Sequence, residues 1–378
     1  MNIQMLRVLA LVQKAQGISP GQRFRLEQWA PHLQHRHGIE LDFHAFESAA
    51  LTRVLYAHGR VATKAALIVK DFVRRANILS LARNYDAVVM HRETSMLGPA
   101  VYERLLAWAG IPFVLDFDDA IWMPSEGVSA NGVFSKLRFP SKTMTITTLA
   151  SCVTVGNEYL ARWAKQLNGN VHIVPTTINL SMYEVQPESP ERDIFTIGWM
   201  GSHSTLRHLE EVRHAIERFG ATRRVKMVVV CDVPQTKPFA HVETEFVKWS
   251  GDREAKDIGG MDVGIMPLPD EPFTRGKCGC KALQYMAAGR PAIVSPVGVN
   301  MDIVQHGKNG LLASSDDEWV NAFETLASSR ELRRQLANAG RKTVEDRFTA
   351  EAAAQKFAQA LRSIVPPAIN AHLDHHQE

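Results

Sequence analysis

The stretch Thr274–Pro291, TRGKCGCKALQYMAAGRP, carries the most informative local pattern of this chain. A glycine-rich loop precedes an apolar-periodic segment over Lys281–Ala288, Gly289 follows it, and Pro291 begins a short apolar run. Because glycine commonly follows a helix and proline cannot continue one, the pattern predicts a loop, a helix and then a buried strand. The first turn of a helix offers free N–H groups and a positive dipole end, so this arrangement suits a bound phosphate.

Three polar side chains of this stretch share the side of the helix that would face such a ligand. Lys277 and Lys281 are four residues apart, and Gln284 follows Lys281 by three. Such spacings place side chains on one face of a helix. Two cations and an amide there suit a diphosphate followed by a ribose. A surface helix with two solvated lysines remains the alternative.

On either side of this stretch, short apolar runs alternate with longer segments whose apolar residues recur with the periodicity of a helix. The runs lack strict alternation, which is typical of strands buried on both faces of a parallel sheet. Two such series in 378 residues predict an α/β protein with two Rossmann-like domains. The predicted strands are Arg7–Gln13, Glu40–Phe46, Ala87–His91, Pro112–Asp116, Cys152–Val155, Val171–Val174, Phe195–Met200, Lys226–Cys231, Val263–Met266, Pro291–Val294 and Gly310–Ala313. The predicted helices include Gln22–Leu33, Pro99–Ala109, Leu206–Phe219, Asp316–Ala327 and Ala350–Ile364.

Composition excludes several classes of protein. No apolar run approaches the roughly 20 residues of a membrane span, and the N-terminus lacks the apolar core of a secretory signal. Four scattered cysteines indicate a reduced, cytoplasmic chain rather than a disulfide scaffold. Lys and Arg total 43 against 40 for Asp and Glu, too small an excess to predict a nucleic-acid partner.

The quoted stretch, with Ser295–Asn300 (SPVGVN) and His306–Leu312 (HGKNGLL) after it, resembles the donor-site pattern of family-four glycosyltransferases. The resemblance covers most of residues 190–362 and is weaker before them. It implies the GT-B fold, in which two Rossmann-like domains face each other across a cleft. An acceptor-binding domain is expected over residues 1–178, with a returning helix at 346–365, and a nucleotide-sugar-binding domain over residues 190–345. The polar stretch Asn179–Arg192 is the predicted linker.

The chain departs from that family at one position of the pattern. The family usually carries two glutamates eight residues apart; the second falls on Gln284 and the first on Gly276. A glutamine can still hydrogen-bond ribose hydroxyls, because it has donors and acceptors. Gly276 cannot supply the usual contact to a sugar hydroxyl.

A second candidate donor element is the turn after the predicted strand Phe195–Met200. The resemblance places a Gly-Arg turn and a downstream lysine here, both facing the leaving diphosphate. Gly201 matches the turn, Ser202 replaces the arginine, and Arg207 lies near the position of the lysine. Ser204 or Thr205 is the expected N-cap of the helix that follows. The alternative to a donor site is an ordinary turn with a capping serine.

Candidate catalytic residues follow two strands of the first half. Ligands bind outside the carboxyl ends of strands in open α/β sheets, which points to His91, Glu93 and Asp118. Many family members carry a histidine at the position resembling Asp118, near the reactive carbon of the sugar. As alternatives, Asp118 or Asp119 caps a helix, and His91 is a satisfied core histidine. The run Asp116–Asp119 could also bind a divalent cation, but the resemblance implies neither metal nor cofactor, the nucleotide sugar being a substrate.

A further interpretation concerns the basic stretch Arg60–Arg83, which resembles an amphipathic helix. Such helices lie on anionic membrane surfaces, so peripheral contact with the inner face of a cell membrane is one prediction, and a solvated face is the alternative. The cations concerned are Lys64, Lys70, Arg74, Arg75 and Arg83, with Lys136, Arg138 and Lys142 nearby in sequence.

Together with these residues, the resemblance implies a glycosyltransferase that moves a sugar from a nucleotide-diphosphate sugar to a hydroxyl of a glycan or lipid-linked acceptor. The resemblance implies retention at the anomeric carbon. The predicted membrane contact would suit a place in cell-surface polysaccharide or glycolipid assembly. Two alternatives remain: a non-catalytic sugar- or nucleotide-binding protein on the same scaffold, and a nucleotide-sugar epimerase.

Overall fold

Two parallel six-stranded sheets form the framework of the protein in a computed structural model that describes residues 5–55, 59–95, 98–123, 140–185, 193–234 and 237–365. The N-terminal sheet has the order β2-β1-β3-β4-β5-β6 and the C-terminal sheet the order β12-β11-β10-β7-β8-β9. The strands are β1 Leu6–Val12, β2 Ile39–Ala45, β3 Ala87–His91, β4 Phe113–Phe117, β5 Cys152–Val155, β6 Val171–Ile173, β7 Phe195–Met200, β8 Val225–Cys231, β9 Glu243–Lys248, β10 Val263–Met266, β11 Ala292–Val294 and β12 Leu311–Leu312.

Helices cover both faces of each sheet, and their apolar sides form the cores. Within the described residues the α-helices are α1 Pro20–Gln22, α2 Ala30–His37, α3 Ala49–Leu55, α4 Val61–Arg75, α5 Ile78–Ala82, α6 Val101–Trp108, α7 Pro140–Leu149, α8 Glu158–Ala164, α9 Arg213–Gly220, α10 Glu254–Gly259, α11 Pro272–Arg275, α12 Cys280–Ala287, α13 Asn300–Ile303, α14 Asp316–Ser328, α15 Arg330–Arg347 and α16 Ala350–Arg362. A π-helix spans Arg23–Glu27, and 3-10 helices span Leu180–Met182 and His203–Val212.

The predicted α/β architecture is confirmed, and every predicted strand is present within a residue or so of its expected ends. The strand β9 was not predicted, because its sequence ETEFVK is polar and at most half-buried at the sheet edge. Most of the strands that were predicted are buried, so their apolar runs stand out in the sequence. The exceptions are β2 and β6, which are largely half-buried at the two edges of the N-terminal sheet.

Three helix predictions were wrong in detail. The expected helix Gln22–Leu33 is split into α1, the π-helix and α2. The expected helix Leu206–Phe219 begins as a 3-10 helix at His203, with Ser202 at its N-cap rather than Ser204 or Thr205. The helix of the quoted stretch begins at Cys280, after Gly279 in the left-handed region, so Lys277 lies in the preceding loop rather than in the first turn.

The predicted basic surface around Arg60–Arg83 also needs correction. The stretch forms α4 and α5 with a break at Ala76, not one helix. Lys64, Arg75 and Lys142 are buried, with Arg75 donating to the carbonyls of Val12 and His44, so they add no surface charge. Lys136 and Arg138 lie outside the described residues. No helix of the described residues has the length and apolar character to cross a membrane.

The two domains meet through the chain ends and through direct contacts. The last helix α16 packs on the N-terminal domain, where Phe357 lies 5.5 Å from the ring of Trp29. Arg23 of the N-terminal domain forms a buried ion pair with Glu254 of the C-terminal domain. The linker is less polar than expected at Tyr183, which is buried and donates its hydroxyl hydrogen bond to Glu254.

Candidate functional site

Asp116 is the centre of a buried network at the carboxyl ends of β3, β4 and β5. Arg25 donates from Nη2 to Oδ1 at 2.6 Å and from Nε to Oδ2 at 2.9 Å, and Thr154 donates to Oδ1 at 2.7 Å. Burial opposes ionisation, but the charge of Arg25 and hydrogen bonds from Arg25 and His91 outweigh it and lower the pKa of Asp116 to about 2. Asp116 is therefore a carboxylate.

Asp116 fixes the ring of His91, whose Nδ1 lies 3.0 Å from Oδ2. Because an ionised carboxylate only accepts hydrogen bonds, Nδ1 carries a proton. The other nitrogen, Nε2, is buried and lacks a hydrogen-bond partner in the described part of the chain; Asp118 Oδ1 is 3.8 Å away. A Cβ on Gly21 would lie 3.1 Å from Nε2, so the start of α1 covers the ring. A substrate hydroxyl would reach His91 only after that segment moved.

Arg92 holds the two carboxylates that follow β4. Its Nη2 donates to Asp118 Oδ1 and to Asp119 Oδ2, each at 2.7 Å. Burial opposes ionisation, yet the charge of Arg92 holds the pKa of Asp118 well below its usual range. These side chains bind Arg92 and Lys277 rather than capping a helix in the described residues up to Met123.

The loop Gly276–Cys278 of the C-terminal domain docks directly on the N-terminal domain. Lys277 Nζ donates to Asp119 Oδ1 at 2.9 Å, and Asn157 Nδ2 donates to the carbonyls of Gly276 and Lys277 at 3.0 and 3.1 Å. A Cβ on Gly276 would lie 2.9 Å from the Cβ of Ala120 and 3.1 Å from its backbone nitrogen. The glutamate that the resemblance places here would not fit, which gives a physical reason for the glycine.

Lys281 lies in the first turn of α12 and is the cation best placed to receive a ligand. Its side chain is partly exposed, and Nζ lies 5.5 Å from the ring centre of Trp199. Within the described residues it has no hydrogen-bond or ion-pair partner. Burial, followed by repulsion from Lys277, lowers the pKa of Lys281 to about 8.

The turn after β7 faces the same region. A Cβ on Gly201 would lie 2.5 Å from the ring of Trp199, so close packing requires the glycine. Ser202 pairs its hydroxyl with that of Ser204 at 2.9 Å, and Arg207 is exposed on the 3-10 helix.

His208, next to Arg207, is buried beside a concentration of positive charge. Burial lowers the pKa of His208 to about 3, and the charges of Lys281, Lys277 and Arg207 act in the same direction. The structure therefore brings the three predicted donor cations close to one another and adds a neutral histidine among them.

Gln284 and Glu93 point into other networks. Gln284 is buried, and its Nε2 donates to the hydroxyl of Tyr183 at 3.1 Å, which joins it to Glu254. Glu93 accepts from Gln13 at 2.9 Å and lies 3.1 Å from Lys142. Of the three predicted catalytic residues, Asp118 and His91 are thus neighbours, while Glu93 pairs away from them.

Sequence reasoning missed Arg25, Arg92 and His208 as site residues, and it considered Asp119 only as a helix cap or a metal ligand. Arg25 gives no local signal, because its partner is 91 residues away. Arg92 directly follows the predicted His91, and His208 directly follows the predicted Arg207. Both could have been found by extending each prediction to the polar residue next to it. No group of three or more His, Cys, Asp or Glu side chains that could hold a metal ion occurs in the described ranges.

Residues 192–329 match the family model described as glycosyl transferases group 1. The match lies within the C-terminal domain. An uncharacterised glycosyltransferase of Methanocaldococcus jannaschii is 31% identical over 102 residues, 26% of this chain. That match spans only 25% of the length of the curated relative.

Solved structures match the whole two-domain architecture. The sucrose-phosphate synthase of Thermosynechococcus elongatus has a TM-score of 0.66 at 15% identity, covering 95% of this chain and 99% of that one. Anabaena HepE, in complex with UDP and glucose, has a TM-score of 0.65 at 15% identity, covering 95% of this chain and 100% of that one. The catalytic domain of Arabidopsis thaliana starch synthase IV, bound to ADP and acarbose, has a TM-score of 0.67 at 14% identity, covering 96% of this chain and 100% of that one. The predicted GT-B fold is confirmed, and the family match over residues 192–329 agrees with the predicted resemblance.

Proposed function

We propose that this protein is a retaining glycosyltransferase that moves a sugar from a nucleoside-diphosphate sugar to an acceptor hydroxyl. The observation that carries the proposal is the gathering of Lys277, Lys281 and Arg207 around His208, opposite the side chains of Asp118 and Asp119. A cation cluster on one domain suits a diphosphate. Carboxylates on the other suit sugar or acceptor hydroxyls, because they are strong hydrogen-bond acceptors.

Most of the catalysis would come from stabilising the charge that develops on the leaving diphosphate. Lys281 is free to turn to that group, and the N–H groups at the start of α12 add a positive dipole end. Lys277 would exchange Asp119 for a phosphate oxygen. The leaving phosphate could take the acceptor proton, so no strong protein base is needed, although Asp118 or His91 could assist.

Closure of the cleft would exclude water and limit hydrolysis of the donor. The docked loop Gly276–Cys278 and the buried pair of Arg23 with Glu254 support such a closed arrangement. Gln284 remains our candidate for the ribose contact, for which its amide would exchange the hydroxyl of Tyr183 for a ribose hydroxyl.

We further propose that the acceptor is carried on a lipid or grows at a membrane surface, as in assembly of cell-surface polysaccharide or glycolipid. The support is the outer face of α4, where Val69 and Val73 are 62% and 68% exposed beside the exposed Lys70. Apolar side chains with a neighbouring cation suit the interface of an anionic membrane.

A panel of nucleoside-diphosphate sugars tests the activity. Thermal shift identifies donors that bind, because a ligand that binds only the folded state raises the melting temperature. Release of nucleoside diphosphate is then measured with and without glycan and lipid-linked acceptors, and in excess EDTA. We expect acceptor-dependent release that persists with EDTA. Binding without release under any condition would indicate a non-catalytic binding protein, and release that needs magnesium or manganese would indicate a metal site at Asp116–Asp119.

A further inference from the structure

Arg92 has a backbone conformation that arginine rarely adopts. It follows β3 with φ at +69°, in the left-handed region where a Cβ crowds the backbone. Its N–H donates to the carbonyl of Asp116 at 2.7 Å, which ties the strained residue to the neighbouring strand. Such strain persists only where the surrounding structure holds it, and it is concentrated at functional sites.

The side chain of Arg92 reaches the carboxylate that also holds the donor loop. Asp119 accepts from Arg92 on Oδ2 at 2.7 Å and from Lys277 on Oδ1 at 2.9 Å. The Asp119 side chain is 17% exposed, so solvent screens these two contacts only in part. One negative charge is thus shared between a cation of the N-terminal domain and a cation of the C-terminal domain.

We infer that Arg92 is a positioning residue that sets how tightly Asp119 holds Lys277, and so how readily Lys277 is released to a nucleoside diphosphate. The inference rests on the proposed function, in which Lys277 must leave Asp119 to meet the donor. Arg92 draws part of the carboxylate charge to itself and keeps Asp118 and Asp119 side by side at the end of β4.

The arrangement has opposite consequences for two substitutions. Arg92→Gln leaves the charge of Asp119 to Lys277 alone, so Lys277 is held more tightly and the diphosphate binds less well. Asp119→Asn removes the charge that competes with the diphosphate, so it binds better. A merely structural role for either residue would weaken binding in both variants.

Calorimetric titration of the full chain with uridine diphosphate and with adenosine diphosphate tests these two opposite effects on diphosphate affinity. We expect Kd to rise about fivefold in Arg92→Gln and to fall about fivefold in Asp119→Asn, because a partly exposed ion pair contributes about that much. Arg92→Lys keeps the positive charge but loses the planar guanidinium that contacts both Asp118 and Asp119. Its affinity for the diphosphate should therefore lie between those of the wild type and Arg92→Gln. Arg60→Gln is the matched control, since Arg60 is a second left-handed arginine, with φ at +54° and an exposed side chain at the start of α4.

Thermal unfolding identifies variants that fail to fold, and Arg92→Lys then takes the place of Arg92→Gln. Tighter or unchanged binding in the Arg92 variants, or weaker binding in Asp119→Asn, would overturn the inference while leaving the proposed function intact. Absence of diphosphate binding to the wild-type protein would overturn both.

Discussion

At the residue scale, Lys281 is the side chain on which the proposed reaction depends most. It lies in the first turn of α12 without a hydrogen-bond partner among the described residues. A charge-assisted bond to a phosphate contributes roughly 1.5–3 kcal/mol, so we expect Lys281→Ala to lower kcat/KM by about 10- to 150-fold. Steady-state kinetics with the preferred donor measures this change.

Lys342→Ala is the control for that variant, because Lys342 is an exposed lysine of the same domain that pairs with Asp346. It should keep the kinetics of the wild type. If kcat/KM of Lys281→Ala stays within about a factor of two of the wild-type value, the diphosphate contact is assigned to the wrong residue.

The pH dependence of donor binding should follow the charge of Lys281. With its pKa lowered to about 8, the lysine is charged below that pH and loses its charge as the pH rises through it. Affinity for a nucleoside diphosphate should therefore fall above pH 8 rather than near the ordinary lysine value of 10.5. Arginine stays protonated throughout, so Lys281→Arg should bind with little change up to about pH 10. Parallel titrations of both proteins test this; curves with the same pH dependence would count against it.

His208 should make stability sensitive to mild acid. Its pKa is lowered from 6.5 to about 3, so its contribution is fully present above pH 6.5 and is lost as the pH falls towards 3. The free energy of unfolding should then fall by up to about 1.4 kcal/mol per pH unit in that window. Asp116 adds to the loss only below its ordinary pKa of 3.8. Burial and the charge of Arg362 also lower the pKa of His37 from 6.5, so the share of His208 is the part of the loss that is absent from His208→Gln.

Urea unfolding between those pH values compares the wild type with His208→Gln, whose stability should change less. His214→Gln is the control, because His214 is an exposed histidine paired with Asp316. Equal pH dependence in the wild type and His208→Gln would show that another group takes up the proton.

At the element scale, the loop before α12 is shaped by the domain it touches. A methyl group on Gly276 would meet the backbone of Ala120, which cannot turn aside as a flexible side chain can. We expect Gly276→Ala to destabilise the protein by about 1–3 kcal/mol, as overpacking usually does, and to weaken donor binding by displacing Lys277. Gly169→Ala is the matched control, since no atom lies within 4 Å of its added Cβ. Unfolding curves that coincide for the two variants would mean that the loop does not dock as described.

The elements also show how far the sequence alone could lead. Buried strands were predictable, because their apolar runs are bounded by clear loops, and the family pattern supplied Lys277, Lys281 and Arg207. What could not be predicted depends on contacts between distant segments. The burial of Lys64 and Lys142 inside an apparently basic surface is such a case, and the seating of Gly276 against Ala120 is another. The local sequence does not show which distant segment packs against these lysines or against this glycine, so neither contact could be predicted from it.

At the scale of the whole molecule, the proposed membrane surface rests more on apolar contact than the sequence suggested. Three cations of the basic stretch and its surroundings are inside the protein, whereas Val69 and Val73 point outward beside Lys70. Each exposed cation near an anionic surface contributes about 1 kcal/mol and is screened by salt. The apolar contribution of the valines is not screened, so we expect binding to anionic vesicles that is reduced, but not abolished, at high salt.

Cosedimentation with anionic and neutral vesicles at low and high salt measures this behaviour. The double variant Val69→Ser with Val73→Ser removes the apolar contact without adding charge, and it should lose the part of the binding that survives high salt. Met301→Ser is the control, because Met301 is 56% exposed on the other domain. Wild-type protein that stays in the supernatant under all four conditions would exclude the membrane surface, and the acceptor would then be sought among soluble glycans. If the double variant keeps its salt-resistant binding, the membrane contact would have to lie on another face of the N-terminal domain.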